Sequence, residues 1–177
     1  MKFFKTIFML AVAGAVTLSA ADFSKIVDTK RWSKFECTAV TADNALSVTL
    51  PIDYKGGQKE YPIGWPRLYL YKLLPAEMGW GNAKAISFDL KLEFQGKTAA
   101  FPMSFHFFWT DTDKKSKSTA VAFPELKNNV VNKVVIPFDK VKNPAGVTGI
   151  GFSISERNFK HGETFKFTVS NFKLVEK

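Results

Sequence analysis

From residue 35 onward, apolar and polar side chains alternate with a period of two, the mark of half-buried β-strands. Residues 86–94 are the clearest case. Ile86, Phe88, Leu90, Leu92 and Phe94 fall on one face, while Ser87, Asp89, Lys91 and Glu93 fall on the other. The same alternation marks residues 35–40, 45–52, 67–73, 102–110, 119–123, 131–138, 148–155 and 164–175. Turn-rich pieces such as Asp53 to Pro62, Pro75 to Asn82 and Thr110 to Ser118 lie between them. Nothing after residue 22 sustains a helical period, and residues 25–34 hold one short turn of helix at most. About nine short strands with regular turns predict an all-β fold, an antiparallel β-sandwich or barrel. With no internal repeat and no linker, the chain after the leader reads as one domain.

The last segment changes phase. Phe165, Phe167 and Val169 share one parity, and Phe172 and Leu174 take the other. A bulge near Ser170 and Asn171 would keep both sets on the same side of a sheet.

Residues 1–21 follow a different logic. Lys2 and Lys5 precede an apolar run from Ile7 to Val16, and Ser19, Ala20 and Ala21 supply small side chains after it. That order predicts a secretory signal peptide cleaved after Ala21. The run is short of the ~20 residues a membrane-spanning helix needs, and no later segment is longer, so no membrane span is predicted. The mature domain would cover residues 22–177 and be exported by a bacterium to the periplasm or the outside. Cys37 is the only cysteine, so no intrachain disulfide can form, and its place in an alternating strand suits a small buried apolar residue.

The chain carries 25 Lys and Arg against 16 Asp and Glu, a formal net charge of +9 that falls to +7 without Lys2 and Lys5. The lysines are scattered singly among apolar residues, with no basic arm or nucleic-acid motif, so nucleic acid is not an expected partner. A preference for acidic polymers such as uronic-acid or sulfated glycans is the sharper reading of that surplus.

The order of segments carries a resemblance. Trp32, then WPRLYLYKLL, GNAKAISFDLKLE, PMSFHFFWTD, NKVVIPFDKV, GVTGIGFSIS and ETFKFTVSNFKLVEK together resemble galactose-binding-like jelly-roll domains of the carbohydrate-binding-module type. The likeness spans residues 32 to 175. It implies two antiparallel sheets, a structural calcium ion as in many relatives, and glycan binding on a sheet face or at loop tips. Two departures stand out. Ser170 occupies the place where relatives often have Asp, which bears on the calcium. Relatives are usually joined to a catalytic domain, and no second domain is evident here.

Sugar recognition needs a flat aromatic ring for stacking and polar groups for hydroxyls. In residues 65–71, Leu68 and Leu70 suit the core, which puts Trp65, Arg67, Tyr69 and Tyr71 on the opposite face. In residues 104–110, Phe105, Phe107 and Trp109 suit the core, which puts Ser104, His106 and Phe108 outward; Ser153 and Ser155 face outward in their own strand. If these strands share a sheet, they form an aromatic and polar platform on which Arg67 and His106 donate hydrogen bonds. Trp80, in the glycine-rich MGWGN loop, is a further candidate contact at a loop tip; the alternative is that it plugs one end of the sandwich. Trp32 and Trp109 are assigned to the core.

Catalytic constellations are sparse. No Ser nucleophile elbow and no cluster with metal-ligand spacing occurs. Asp89 and Glu93 are the nearest approach to a glycosidase pair and read as a solvated face beside Lys91. Asp111 and Asp113 could hold calcium, although Lys114, Lys115 and Lys117 crowd them. The reading that results is a secreted, non-catalytic carbohydrate-binding module acting on a polysaccharide. The alternatives are a cell-envelope structural or protein-interaction sandwich and a small polysaccharide lyase using Arg67, His106 and Tyr69.

Overall fold

The computed structural model describes residues 24–35, 37–52, 67–71, 79–95, 103–123, 125–154 and 159–176. The signal segment and Trp65 lie outside these residues. The chain opens with one helical turn, α1 (Ser24–Val27), and a 3-10 turn over Thr29–Arg31. Ten strands follow among the described residues: β1 (Trp32–Phe35), β2 (Thr38–Ala42), β3 (Ala45–Pro51), β4 (Arg67–Tyr71), β5 (Ala83–Phe94), β6 (Met103–Thr110), β7 (Ser116–Ala122), β8 (Val131–Pro137), β9 (Val147–Ile154) and β10 (Thr164–Glu176). They form two five-stranded antiparallel sheets, ordered β1-β4-β9-β6-β7 and β2-β3-β10-β5-β8. The fold is therefore the antiparallel β-sandwich that the alternation predicts.

The predicted strand over residues 35–40 is two strands. β1 pairs with β4 in one sheet and β2 with β3 in the other, so the chain changes sheets between Phe35 and Thr38. Trp32 anchors the first half: its ring is buried and its Nε1–H donates to the Ile26 carbonyl at 2.7 Å.

The apolar parity of each strand fills the space between the sheets. Phe105 and Phe107 of β6 and Phe152 of β9 meet Phe88 of β5 and Phe167 of β10, all buried. Ring centroids lie 5.6 Å apart for Phe88 and Phe105, 5.9 Å for Phe88 and Phe152, and 5.6 Å for Phe152 and Phe167. Full burial of one such ring stabilises by about 1.5–3 kcal/mol, and each ring pair adds about 0.5–1.5 kcal/mol. That cross-sheet lattice replaces the disulfides the chain lacks.

The phase change in β10 is a bulge. Its register against β5 slips between Ser170 and Lys173, and Asn171 takes a left-handed φ of 54°. Phe165, Phe167 and Val169 before the slip and Phe172 after it are all buried. Asn tolerates this backbone, and its Nδ2 donates to Asp89 Oδ2 at 2.8 Å, which ties the bulge to β5.

Candidate functional site

The outward face of the first sheet is built around β9. Its residues Val147–Ile154 pair with β4 on one side and β6 on the other. Arg67 and Ser104 both register with Ser153; Tyr69 and His106 both register with Gly151; Tyr71 and Phe108 both register with Gly149. Cross-strand partners share a face. Three rows therefore cross the sheet: Arg67–Ser153–Ser104, Tyr69–Gly151–His106 and Tyr71–Gly149–Phe108. From first row to last the patch runs about 13 Å along the strands, and β4 and β6 stand about 10 Å apart across β9. On the far side, β7 continues the rows with Ala122, Ala120 and Ser118, all exposed.

β6 shows why its residues divide this way. Met103, Phe105, Phe107 and Trp109 are buried, while Ser104, His106, Phe108 and Thr110 are partly exposed. His106 Nε2 and Ser153 Oγ share a hydrogen bond of 2.7 Å. Because His106 registers with Gly151 and Ser153 with Ser104, this bond runs diagonally from β6 to β9. The imidazole thus leans over β9 beside the position where Gly151 carries no side chain. The Phe108 ring lies 6.2 Å from the imidazole and within 12° of parallel to it, so the two rings share one tilt. Glycine inside a strand often marks a close approach by a ligand or a covering ring. Gly149 and Gly151 are both buried, so the side chains around them already cover the β9 backbone there.

The glycines were absent from the sequence candidates. Their signal was available, since they occupy alternate positions of GVTGIGFSIS and so share a face with Ser153. Trp80 requires a correction. It is fully buried, with its ring stacked on Phe138 at 5.5 Å, so it is a plug of the core and not a loop-tip contact. Gly79, at a φ of 67°, makes the left-handed turn that delivers it inward. Trp32 and Trp109 are core residues, as expected. Ser155 lies outside the described residues.

The two outward faces differ in charge. On the second sheet, Asp89 pairs with Lys133 at 2.7 Å, and Glu93 sits 3.4 Å from Lys91 and 3.3 Å from Lys166. The Lys133 hydrogen bond, with that of Asn171, holds the Asp89 carboxyl below its ordinary pKa. Both carboxylates are thus matched by cations, which suits a solvated face and not an acid–base pair. On the first sheet, the outward positions of β6, β7 and β9 among the described residues carry His106 and no Asp or Glu.

Two places offer carboxylates to a structural calcium ion. At the β6–β7 turn, Asp111 Oδ1 accepts the Thr112 N–H at 2.9 Å and Asp113 Oδ1 accepts the Lys115 N–H at 3.0 Å, with Lys115 Nζ 3.4 Å from Asp113. Beside Ser170, the partner Asp89 is committed to Lys133 and Asn171. Among the described residues no group of three His, Cys, Asp or Glu side chains gathers as a metal site. These donors do not fit the ion.

No family model and no curated protein matches the chain. Solved structures do. A xylan-binding family 22 module of Paenibacillus barcinonensis is 14% identical, with a TM-score of 0.50 over 84% of this chain and 88% of that one. An agarase is 10% identical, with a TM-score of 0.50 over 84% of this chain and 24% of its own. A carbohydrate-binding module of the β-sandwich superfamily described as promiscuous in specificity is 14% identical, with a TM-score of 0.49 over 82% of this chain. The chain shares its β-sandwich fold with that xylan-binding module. It spans 56% of the length of the module described as promiscuous. Likeness at this identity fixes the architecture, and the function must be argued from the sheet face itself.

Proposed function

We propose that this protein is a secreted, single-domain, non-catalytic carbohydrate-binding module that holds a polysaccharide on the outward face of β4, β9 and β6. The observation that carries the reading is the register that sets Arg67, Tyr69 and Tyr71 across Gly149, Gly151 and Ser153 from Ser104, His106 and Phe108. Sugar rings stack on Tyr69, Tyr71 and Phe108, and hydroxyls bond to Arg67, Ser104, Ser153 and His106. Trp65, a further candidate from the sequence, lies outside the described residues. The leader in residues 1–21 supports export, and no helix among the described residues is long and apolar enough to cross a membrane.

A glycan array with the mature chain tests the proposal. Hits that disappear in Tyr69→Ala and Arg67→Ala are expected. An array without hits, or a stable protein partner captured with no sugar dependence, supports the envelope-interaction alternative instead. Ultraviolet absorbance in polysaccharide mixtures would report unsaturated products and so favour a lyase, for which Arg67, Tyr69 and His106 are suitable residue types.

A further inference from the structure

We propose that the free edge of β8 is a self-association surface. Two copies of this chain pair their β8 strands antiparallel about a two-fold axis at Lys133 and join their second sheets into one.

The backbone decides which groups this edge offers. Among the described residues, β8 is the last strand of its sheet and pairs with β5 alone. The Phe138 N–H donates to the Lys84 carbonyl at 2.8 Å, one step beyond the Ala85–Pro137 pair. Bonded and non-bonded pairs alternate along an antiparallel ladder. Asn132, Val134 and Ile136 therefore bond to β5, and the N–H and C=O groups of Val131, Lys133 and Val135 point away from it. The side chains of the latter three stand on the outward face. Val131 and Val135 are 55% and 56% exposed, while Val134 and Ile136 are buried. An edge with exposed apolar side chains and unpaired backbone groups is a template for another strand. The opposite edge strand, β2, differs, because Thr41 donates its hydroxyl to the Val27 carbonyl and so holds the N-terminal turn against it.

Self-complementarity and charge select a second copy as the occupant. With Lys133 opposite the partner's Lys133, Val131 falls opposite the partner's Val135, and the contact repeats by symmetry. The exposed valines then cover each other, and each bonding position carries an N–H. Sliding the register by two residues would set Pro137, which has no N–H, opposite Val131. Two chains of net charge +9 repel, yet this edge is locally neutral, since Lys133 pairs with Asp89 at 2.7 Å. An acidic partner would have to displace Asp89, whereas a second copy leaves both ion pairs intact. One short strand pairing buries less than the roughly 1,200–2,000 Å² of a stable interface, so the dimer is weak and concentration-dependent. The two-fold axis stands perpendicular to the joined sheet, so the outward faces of both first sheets point the same way. On the glycan-binding reading, one polymer can then engage both.

Sedimentation velocity of the mature chain from micromolar to millimolar concentration, with amide hydrogen exchange over the same range, tests the proposal. A monomer–dimer equilibrium is expected, with the Val131, Lys133 and Val135 amides gaining protection as concentration rises. Val135→Lys and, as a second variant, Val131→Lys should each weaken association about tenfold or more, because the change enters twice and adds like charges beside Lys133. Val40→Lys, on β2, should leave it unchanged. An unfolding midpoint near the wild-type value at low concentration checks that the variants fold. A monomer throughout, with those three amides exchanging freely, would overturn the proposal. So would a dimer that leaves them unprotected or survives both β8 variants, since another face would then be responsible. Protection of the same amides in a monomer by a strand from another protein would overturn the choice of a second copy. None of these outcomes touches the glycan-binding reading, which the array decides.

Discussion

His106 Nε2 lies 2.7 Å from Ser153 Oγ across the boundary between β6 and β9. This bond fixes the tilt of the imidazole and, through the near-parallel Phe108 ring, the tilt of the platform's aromatic edge. Ser153→Ala should remove this bond without emptying the core. Glycan affinity is expected to fall about tenfold, the worth of one hydrogen-bonded contact to a positioned group. His106→Ala should cost more, and the double variant should cost less than the two losses added together. Calorimetric titration of the four proteins forms the cycle.

Gly151 should separate stability from binding. A β-branched side chain suits a strand, and glycine there costs about 0.5–1 kcal/mol relative to alanine. Gly151→Ala should therefore keep the fold, with an unfolding midpoint near the wild-type value. It should still lose at least about tenfold in glycan affinity, because the new methyl enters the row that Gly151 shares with Tyr69 and His106. Thermal unfolding and titration of one preparation provide both readings.

The Asp89 cluster gives the protein an acid-sensitive element. Hydrogen bonds from Lys133 and Asn171 lower its pKa in the folded state. The resulting stabilisation is fully present above the unfolded-state pKa of about 4 and is lost as pH falls through the folded value. Asp89→Asn should therefore be less stable than wild type near neutrality, with the gap closing below about pH 4. Denaturant unfolding across that range checks the sign. Asn171→Val should destabilise at every pH, since it loses the bond to Asp89 and forces a β-branched residue to a φ of 54°.

Trp80 and Gly146 test the closed end of the sandwich. Trp80→Ala removes a fully buried ring stacked on Phe138 and should cost about 3–5 kcal/mol. A methyl at Gly146 would collide with the Thr110 carbonyl oxygen and the Asn143 side chain, which already donates to that oxygen at 2.8 Å. Gly146→Ala should therefore lower the unfolding midpoint. Neither change should alter the glycan affinity of the protein that remains folded.

Local alternation made most strands legible, because burial on one face is a local property of the chain. The phase change at Ser170 and Asn171 was equally legible, since only a bulge keeps Phe172 on the side of Phe167. What alternation does not encode is which strand lies beside which. Residues 35–40 read as one strand because both sheets follow the same pattern, and nothing local announces the crossing at Cys37. The pairing of Tyr69 with Gly151 joins segments far apart in sequence, and cooperative packing of both sheets sets its register. Trp80 misled for a related reason. Glycines on either side signal a turn, but the stack on Phe138, not the turn, decides where the ring goes.

The central claim is that the face of β4, β9 and β6 is where a glycan lies. Titrating a bound polysaccharide or its oligomers into the isotopically labelled protein, and following backbone amides by NMR, tests it most directly. The account predicts the largest shifts at Gly149, Gly151, Ser153, His106 and Phe108, with Lys91, Lys133 and Lys166 on the opposite sheet undisturbed. Shifts concentrated on that opposite face, or confined to the loops at the ends of the sandwich, would contradict it.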